Sequence, residues 1–123
     1  MNVPVFRKAQ IHLKGWGDEL WLANTSQYCG KLLRFNKGAQ FSTHFHGNKD
    51  ETFYIVRGSI KFTHINPQTA AEASCFLSAG DVVDIPRLCS HRVEALDEAL
   101  IFEISTHHEE SDSYRVKPGD SQK

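Results

Sequence analysis

Three histidines and a glutamate stand at spacings that suit a metal ion. His44 and His46 are at i and i+2 in a strand-like run, so both imidazoles leave the same face. Glu51 follows a four-residue polar loop, Gly47 to Asp50, at the start of the next strand; antiparallel pairing would bring it opposite the two histidines. His91 comes after a proline turn, at the head of another strand. Imidazole suits Fe, Zn, Ni and Cu, and the carboxylate keeps Mn open. Four protein ligands leave one or two positions free on a five- or six-coordinate ion, and an open position is what separates a catalytic ion from a structural one. The other four of the seven histidines read differently. His12 and His64 are isolated, and His107 and His108 lie among acids, where a solvated surface is expected.

The elements that must position these groups are strands. Candidates are Glu19–Asn24, Tyr28–Phe35, Gln40–His46, Thr52–Val56, Ser59–Ile65, Ser74–Leu77, Asp81–Ile85, Arg92–Leu96 and Leu100–Ser105. Asn36-Lys37-Gly38, Ser78-Ala79-Gly80 and Asp97-Glu98 punctuate them, and Arg57-Gly58 reads as a short hairpin connection. No stretch of 12 residues keeps a helical period. Seven to nine short strands give an all-β barrel or sandwich in a single domain, 1–123, with Tyr114-Arg115-Val116 able to fold back onto it. Parity places Phe41 and Phe45 on the face opposite His44 and His46, and Phe53 on the face of Glu51. Cys89, two residues before His91, reads as a buried free thiol or one approaching the ion; Trp16 and Trp21 read as covers for the barrel end or a subunit contact. Tyr54 fits core or rim equally.

Composition narrows the partners. Fourteen Lys and Arg against fifteen Asp and Glu leave a net charge of -1, which lacks the basic footprint of a nucleic-acid or anionic-membrane binder. There is no apolar run of membrane-spanning length, and Met1–Val5 has no signal-peptide core. Three Cys without a CxxC pair make no disulfide framework and fit a cytoplasmic protein. A short strand at Val3–Arg7 would pair with a partner's sheet edge, giving a homodimer.

Gly38, His44, His46, Glu51 and Gly58, with five, one, four and six residues between them, resemble the first motif of the cupin superfamily. Gly80, Pro86 and His91, separated by five and four residues, resemble the second. Leu88 stands where that motif has Gly, and Ala95 where it has Asn; neither is a ligand position. The resemblance covers about residues 28–105. It implies a cupin-type double-stranded β-helix, a jelly-roll barrel, in which His44, His46, Glu51 and His91 bind a divalent transition metal (Mn, Fe, Ni or Zn). The flanks are similar to sugar-isomerase-type cupins: Trp16-Gly17-Asp18-Glu19, Tyr28-Cys29-Gly30-Lys31, Asp50-Glu51-Thr52-Phe53-Tyr54 and the closing Phe102–Thr106 and Asp112–Arg115 segments. That group includes D-lyxose isomerases, the cupin domain of type II phosphomannose isomerases and the cupin domain of some sialic acid synthases. The resemblance implies a sugar-like small-molecule ligand and aldose–ketose isomerisation or epimerisation. For that chemistry Glu103, on the face opposite Phe102 and Ile104, is the candidate base, and Lys31 could orient a hydroxyl or oxyanion. A structural ion pair for Glu103 and a snorkelling surface position for Lys31 are the plain alternatives. Arg115 could cap the barrel mouth or bind a phosphate, or belong to a solvated tail. A non-catalytic sugar-binding cupin and an Fe(II)-dependent dioxygenase remain as other functions.

Overall fold

The computed structural model describes residues 2–123. It contains eleven strands: β1 (Gln10–Lys14), β2 (Gly17–Asn24), β3 (Cys29–Phe35), β4 (Thr43–His46), β5 (Glu51–Arg57), β6 (Ser59–Ile65), β7 (Glu72–Ser78), β8 (Val82–Ile85), β9 (His91–Ala95), β10 (Ala99–Ser105) and β11 (Ser113–Lys117). They form two antiparallel sheets, one in the order β1-β2-β3-β10-β5-β8 and the other β11-β4-β9-β6-β7. This is the expected all-β jelly roll, with more strands than the seven to nine expected. Gln10–Lys14 was not among the expected strands, and β11 does return to pair with β4.

Side chains of alternate residues enter the space between the sheets. Leu33 and Phe35, Phe53 and Ile55, Ile60 and Phe62, Val93 and Ala95, and Ala99 and Ile101 bury there in pairs two apart.

Two connections differ from expectation. Arg57-Gly58 is no hairpin, because β5 lies in the first sheet and β6 in the second, so the chain changes sheets there. Gly58 has φ +86°, and a Cβ on it would meet the Glu98 carbonyl oxygen at 2.3 Å, so the crossing needs a residue without a side chain. Glu51 likewise is not strand-paired with His44 or His46. It faces them from the opposite sheet, between Ile85 and Ser105 in register. Gln40–His46 is also broken: Gln40 makes an isolated bridge to Glu94 and the strand begins only at Thr43. Parity counted across that break misplaces Phe41, which is buried with its ring centroid 4.9 Å from that of His44. Phe45 does turn the other way and stacks on Tyr114. Within this chain Val3–Arg7 forms no strand.

Candidate metal centre

His44 and His46 leave β4 together, and β9 pairs beside it with His44 opposite His91 in register. The ring centroids are 4.8 Å apart for His44–His91 and 5.0 Å for His44–His46. From the other sheet Glu51 brings Oε1 to 3.6 Å from His46 Nε2 and Oε2 to 3.3 Å from His91 Nε2. The four expected ligands therefore converge on one region of the interior.

Their chemistry fits a cation. Each ring turns Nδ1 to a backbone carbonyl: His44 to Ser42 at 2.8 Å, His46 to Asp112 at 3.1 Å and His91 to Cys89 at 2.9 Å. A carbonyl only accepts, so Nδ1 carries the proton and a neutral ring has its lone pair on Nε2. Burial is the main cause that lowers the His46 pKa and lowers that of His44 to about 3, so these rings stay neutral. His91 Nε2 and Glu51 Oε2 are buried and have no hydrogen-bond partner despite their proximity. Two such orphaned acceptors are costly unless something positive answers them. Among the described residues no group of three or more His, Cys, Asp or Glu side chains is gathered tightly enough, in this arrangement, to hold an ion. The donor set fits a metal, and the closed coordination shell is not preformed.

Beside the four donors lies a buried charge network. Glu103 enters from β10, as its alternation with Phe102 and Ile104 indicates, and bonds Ser105 Oγ at 2.9 Å. Lys31 is 2% exposed rather than snorkelling outward; its ammonium is 3.4 Å from Glu19 Oε1 and 4.4 Å from the Trp21 ring centroid. Two members were missed from the sequence. Lys49, in the loop read as merely polar, is 2% exposed and reaches Glu103 Oε2 at 2.7 Å and Glu51 Oε1 at 3.3 Å. His108, expected on a solvated surface, is 8% exposed, with Nδ1 3.0 Å from Lys49 Nζ. Its neighbours in sequence are acids that do face water, which hid it. The one available signal for Lys49 was its place two residues before Glu51.

Burial and Glu51 raise the Glu103 pKa, and Lys49 and then Lys31 partly compensate. For Lys49, burial alone would lower the pKa, but Glu103 and then Glu51 hold it above the ordinary value. For Glu51, burial is outweighed by His91, Lys49 and His46, which hold its carboxyl well below the usual range.

The cavity these groups enclose measures about 90 Å³. Trp16 and Phe41 form apolar walls, and Trp16 stacks on Phe35 at 4.4 Å as a cover for that end of the core. Arg115 belongs to the mouth, since β11 folds back over β4. Cys89 offers the centre its backbone oxygen, while its sulfur contacts Ser90 O at 4.0 Å. Tyr54 is exposed on the outer face. Leu88, at the motif's glycine position, takes φ +68°, a left-handed conformation that a glycine adopts without strain.

Comparison with solved structures places this geometry. A tryptophan-to-tyrosine variant of Bacillus subtilis oxalate decarboxylase superposes with a TM-score of 0.76 at 18% identity, over 88% of this chain and 30% of that one. The capsular polysaccharide assembling protein CapF of Staphylococcus aureus gives 0.76 at 18% identity, over 91% and 33%. The formate complex of Lactobacillus farciminis oxalate decarboxylase gives 0.74 at 17%, over 88% and 34%. The chain thus spans about a third of the length of these proteins, and the likeness is one of fold. No curated protein sequence matches it. Among the described residues no helix is long and apolar enough to cross a membrane. Residues 31–105, more than half of the chain, match the family described as Cupin domain, and the chain belongs to that family.

Proposed function

We propose that this cupin is a metal-dependent enzyme that isomerises or epimerises a sugar or sugar derivative, with His44, His46, Glu51 and His91 as metal ligands. The observation that carries the reading is the buried Glu103 carboxylate, which shares the interior with the four donors and is tied to Glu51 through the single ammonium of Lys49. A divalent ion of Mn, Fe, Ni or Zn type supplies Lewis-acid polarisation of a carbonyl when bound. Bacillus subtilis oxalate decarboxylase has Mn(II) centres, which supports the choice of ion without fixing it.

The chain's own residues do the rest. Glu103 takes the proton from C2, beside the polarised C1 carbonyl, and returns it to C1, while the hydroxyl proton passes from O2 to O1, so that C2 becomes the new carbonyl. Its pKa, raised by burial and by Glu51, suits that exchange better than an ordinary carboxylate would. Lys49 and Ser105 fix the carboxylate's orientation from two directions. Lys31, held by Glu19 and Trp21, presents an ammonium to a substrate oxygen. Trp16 and Phe41 exclude water from the closed end. The cavity, about 90 Å³ and open on one side, takes the reacting end of a sugar and leaves the remainder at the mouth. Three free cysteines, Cys29, Cys75 and Cys89, suit a cytoplasmic setting.

The test is deuterium incorporation at C2 of a panel of aldoses in D2O, followed by proton NMR with Mn-, Fe-, Ni- and Zn-loaded protein. Glu103→Gln should reduce exchange by about 10²- to 10⁴-fold with metal content unchanged. Wild-type protein that binds metal and sugar but exchanges no proton is a binding module, and that result refutes the enzyme reading.

A further inference from the structure

The inner and outer ends of the cavity are charged differently. Inside, each lysine has a carboxylate: Lys31 has Glu19, and Lys49 has Glu51 and Glu103. At the mouth two more cations line the cavity, Lys14 from β1 and Arg115 from β11, and among the described residues neither forms an ion pair.

Strand register, rather than chance side-chain reach, puts them there. Arg115 pairs with His44 and Ser113 with His46, and directly paired residues share a face, so both belong to the inward face of their sheet. Lys14 pairs with Gly17, which in turn pairs with Phe35, a core residue, so Lys14 belongs to the inward face of the other sheet. The two cations thus approach one opening from opposite sheets. Ser113, Ser121 and Gln122 line the same cavity and add further donors. One acid shares the mouth, Glu110, and it is directed to His108, 3.5 Å away.

We propose that Lys14 and Arg115 form a subsite for an oxyanion, a carboxylate or phosphate carried by the ligand at the end remote from His44, His46, Glu51 and His91. The cations stand on register and lining alone; that they grip the far end of the reacting molecule rests on the function proposed above. Charge supports it. Four cations and four carboxylates line the cavity, so any divalent ion inside leaves it net positive and favours an anionic ligand.

The probes are inorganic phosphate and acetate, titrated into the purified chain at constant ionic strength and followed by tryptophan fluorescence, since Trp16 lines the cavity. Saturable binding of either anion is expected. Lys14→Gln and Arg115→Gln should each weaken it about tenfold, and Arg115→Lys should recover most of the loss. His44→Ala, which impairs the metal centre and leaves the mouth intact, should still bind the anion saturably and lose less affinity than either mouth variant does. That variant separates the two ideas: a protein that holds no metal ends the proposed reaction but leaves this subsite standing. Wild-type affinity for both anions in the Lys14→Gln/Arg115→Gln double variant overturns the proposal. So does binding lost in His44→Ala and kept in the mouth variants, which would put the anion on the metal, and so does the absence of saturable binding in wild type.

Discussion

The Lys49 ammonium has three protons and three acceptors around it: Glu103 Oε2 at 2.7 Å, His108 Nδ1 at 3.0 Å and Glu51 Oε1 at 3.3 Å. Among the described residues it is the one cation within 4 Å of both buried carboxylates. Lys49→Met should therefore cost about 3–5 kcal/mol in urea unfolding, because it strands both charges. Adding Glu103→Gln to it should recover a clear part of the loss; strict additivity of the two substitutions would show that the pair is not coupled. His108 accepts from Lys49 and so must be neutral, and burial, then Lys49 and Lys31, lower its pKa to about 3. His44 is lowered to about 3 as well, mainly by burial. Unfolded histidines protonate near 6.5, so between 6.5 and 3 the unfolded chain binds more protons and stability falls as the pH falls. Glu51, with its lowered pKa, adds to the loss below 4.5, whereas Glu103, with its raised pKa, opposes it. The melting temperature, measured with a chelator present so that metal release is not what titrates, should drop steadily from pH 7 to pH 5. His108→Gln should flatten that slope, and a slope unchanged in the variant would contradict the assignment.

At the scale of elements, period-2 reasoning carried wherever a strand was unbroken. It placed His44 with His46, Phe53 with Glu51, and Glu103 opposite Phe102 and Ile104. It failed at Phe41, where the strand stops between Gln40 and Thr43, and it could not show that Arg57-Gly58 changes sheets, because a tight turn looks alike in sequence whether its strands pair or part. Lys49 and His108 were illegible for a related reason. Their burial is created by long-range packing, Lys49 against β10 and His108 beside Asn24, 84 residues away. The final turn, Asp120–Gln122, is a wall of the same kind, seen only in three dimensions. Ser121 Oγ accepts from Gly15 N at 3.0 Å, and Asp120 accepts from Gln40 N at 2.8 Å and donates to Gln40 O at 3.0 Å. Gly119 passes so close to Phe41 and Ser42 that a Cβ would meet Ser42 N at 2.3 Å. Gly119→Ala should lift this wall and open the cavity, with Trp16 fluorescence quenched more strongly by acrylamide. Melting should fall by only a few degrees, as the wall itself contributes no apolar side chain to the core. Unchanged quenching would mean that the wall closes nothing.

At the scale of the molecule, the apolar surface is unevenly spread. Val5, Phe6 and Leu13 are 81%, 93% and 85% exposed, and Val3 and Ile11 join them on the same N-terminal length of chain. β1 is also the outer strand of its sheet, with one row of backbone groups unpaired. Exposed apolar residues grouped along an open strand edge mark an interface rather than ordinary surface. We propose a second copy as the occupant, since an antiparallel edge meets its own two-fold mate with the same residues on both sides. Sedimentation at tens of micromolar should therefore give a dimer, and Phe6→Asp with Leu13→Lys should give a monomer; a monomeric wild type would refute the interface. The consequence reaches the site. Lys14 alternates with Leu13 on β1, so whatever orders this edge also orders one of the two cations at the cavity mouth. The dissociated double variant should then bind phosphate more weakly than wild type although neither substitution touches the cavity, and equal affinity would show that the edge and the mouth are independent.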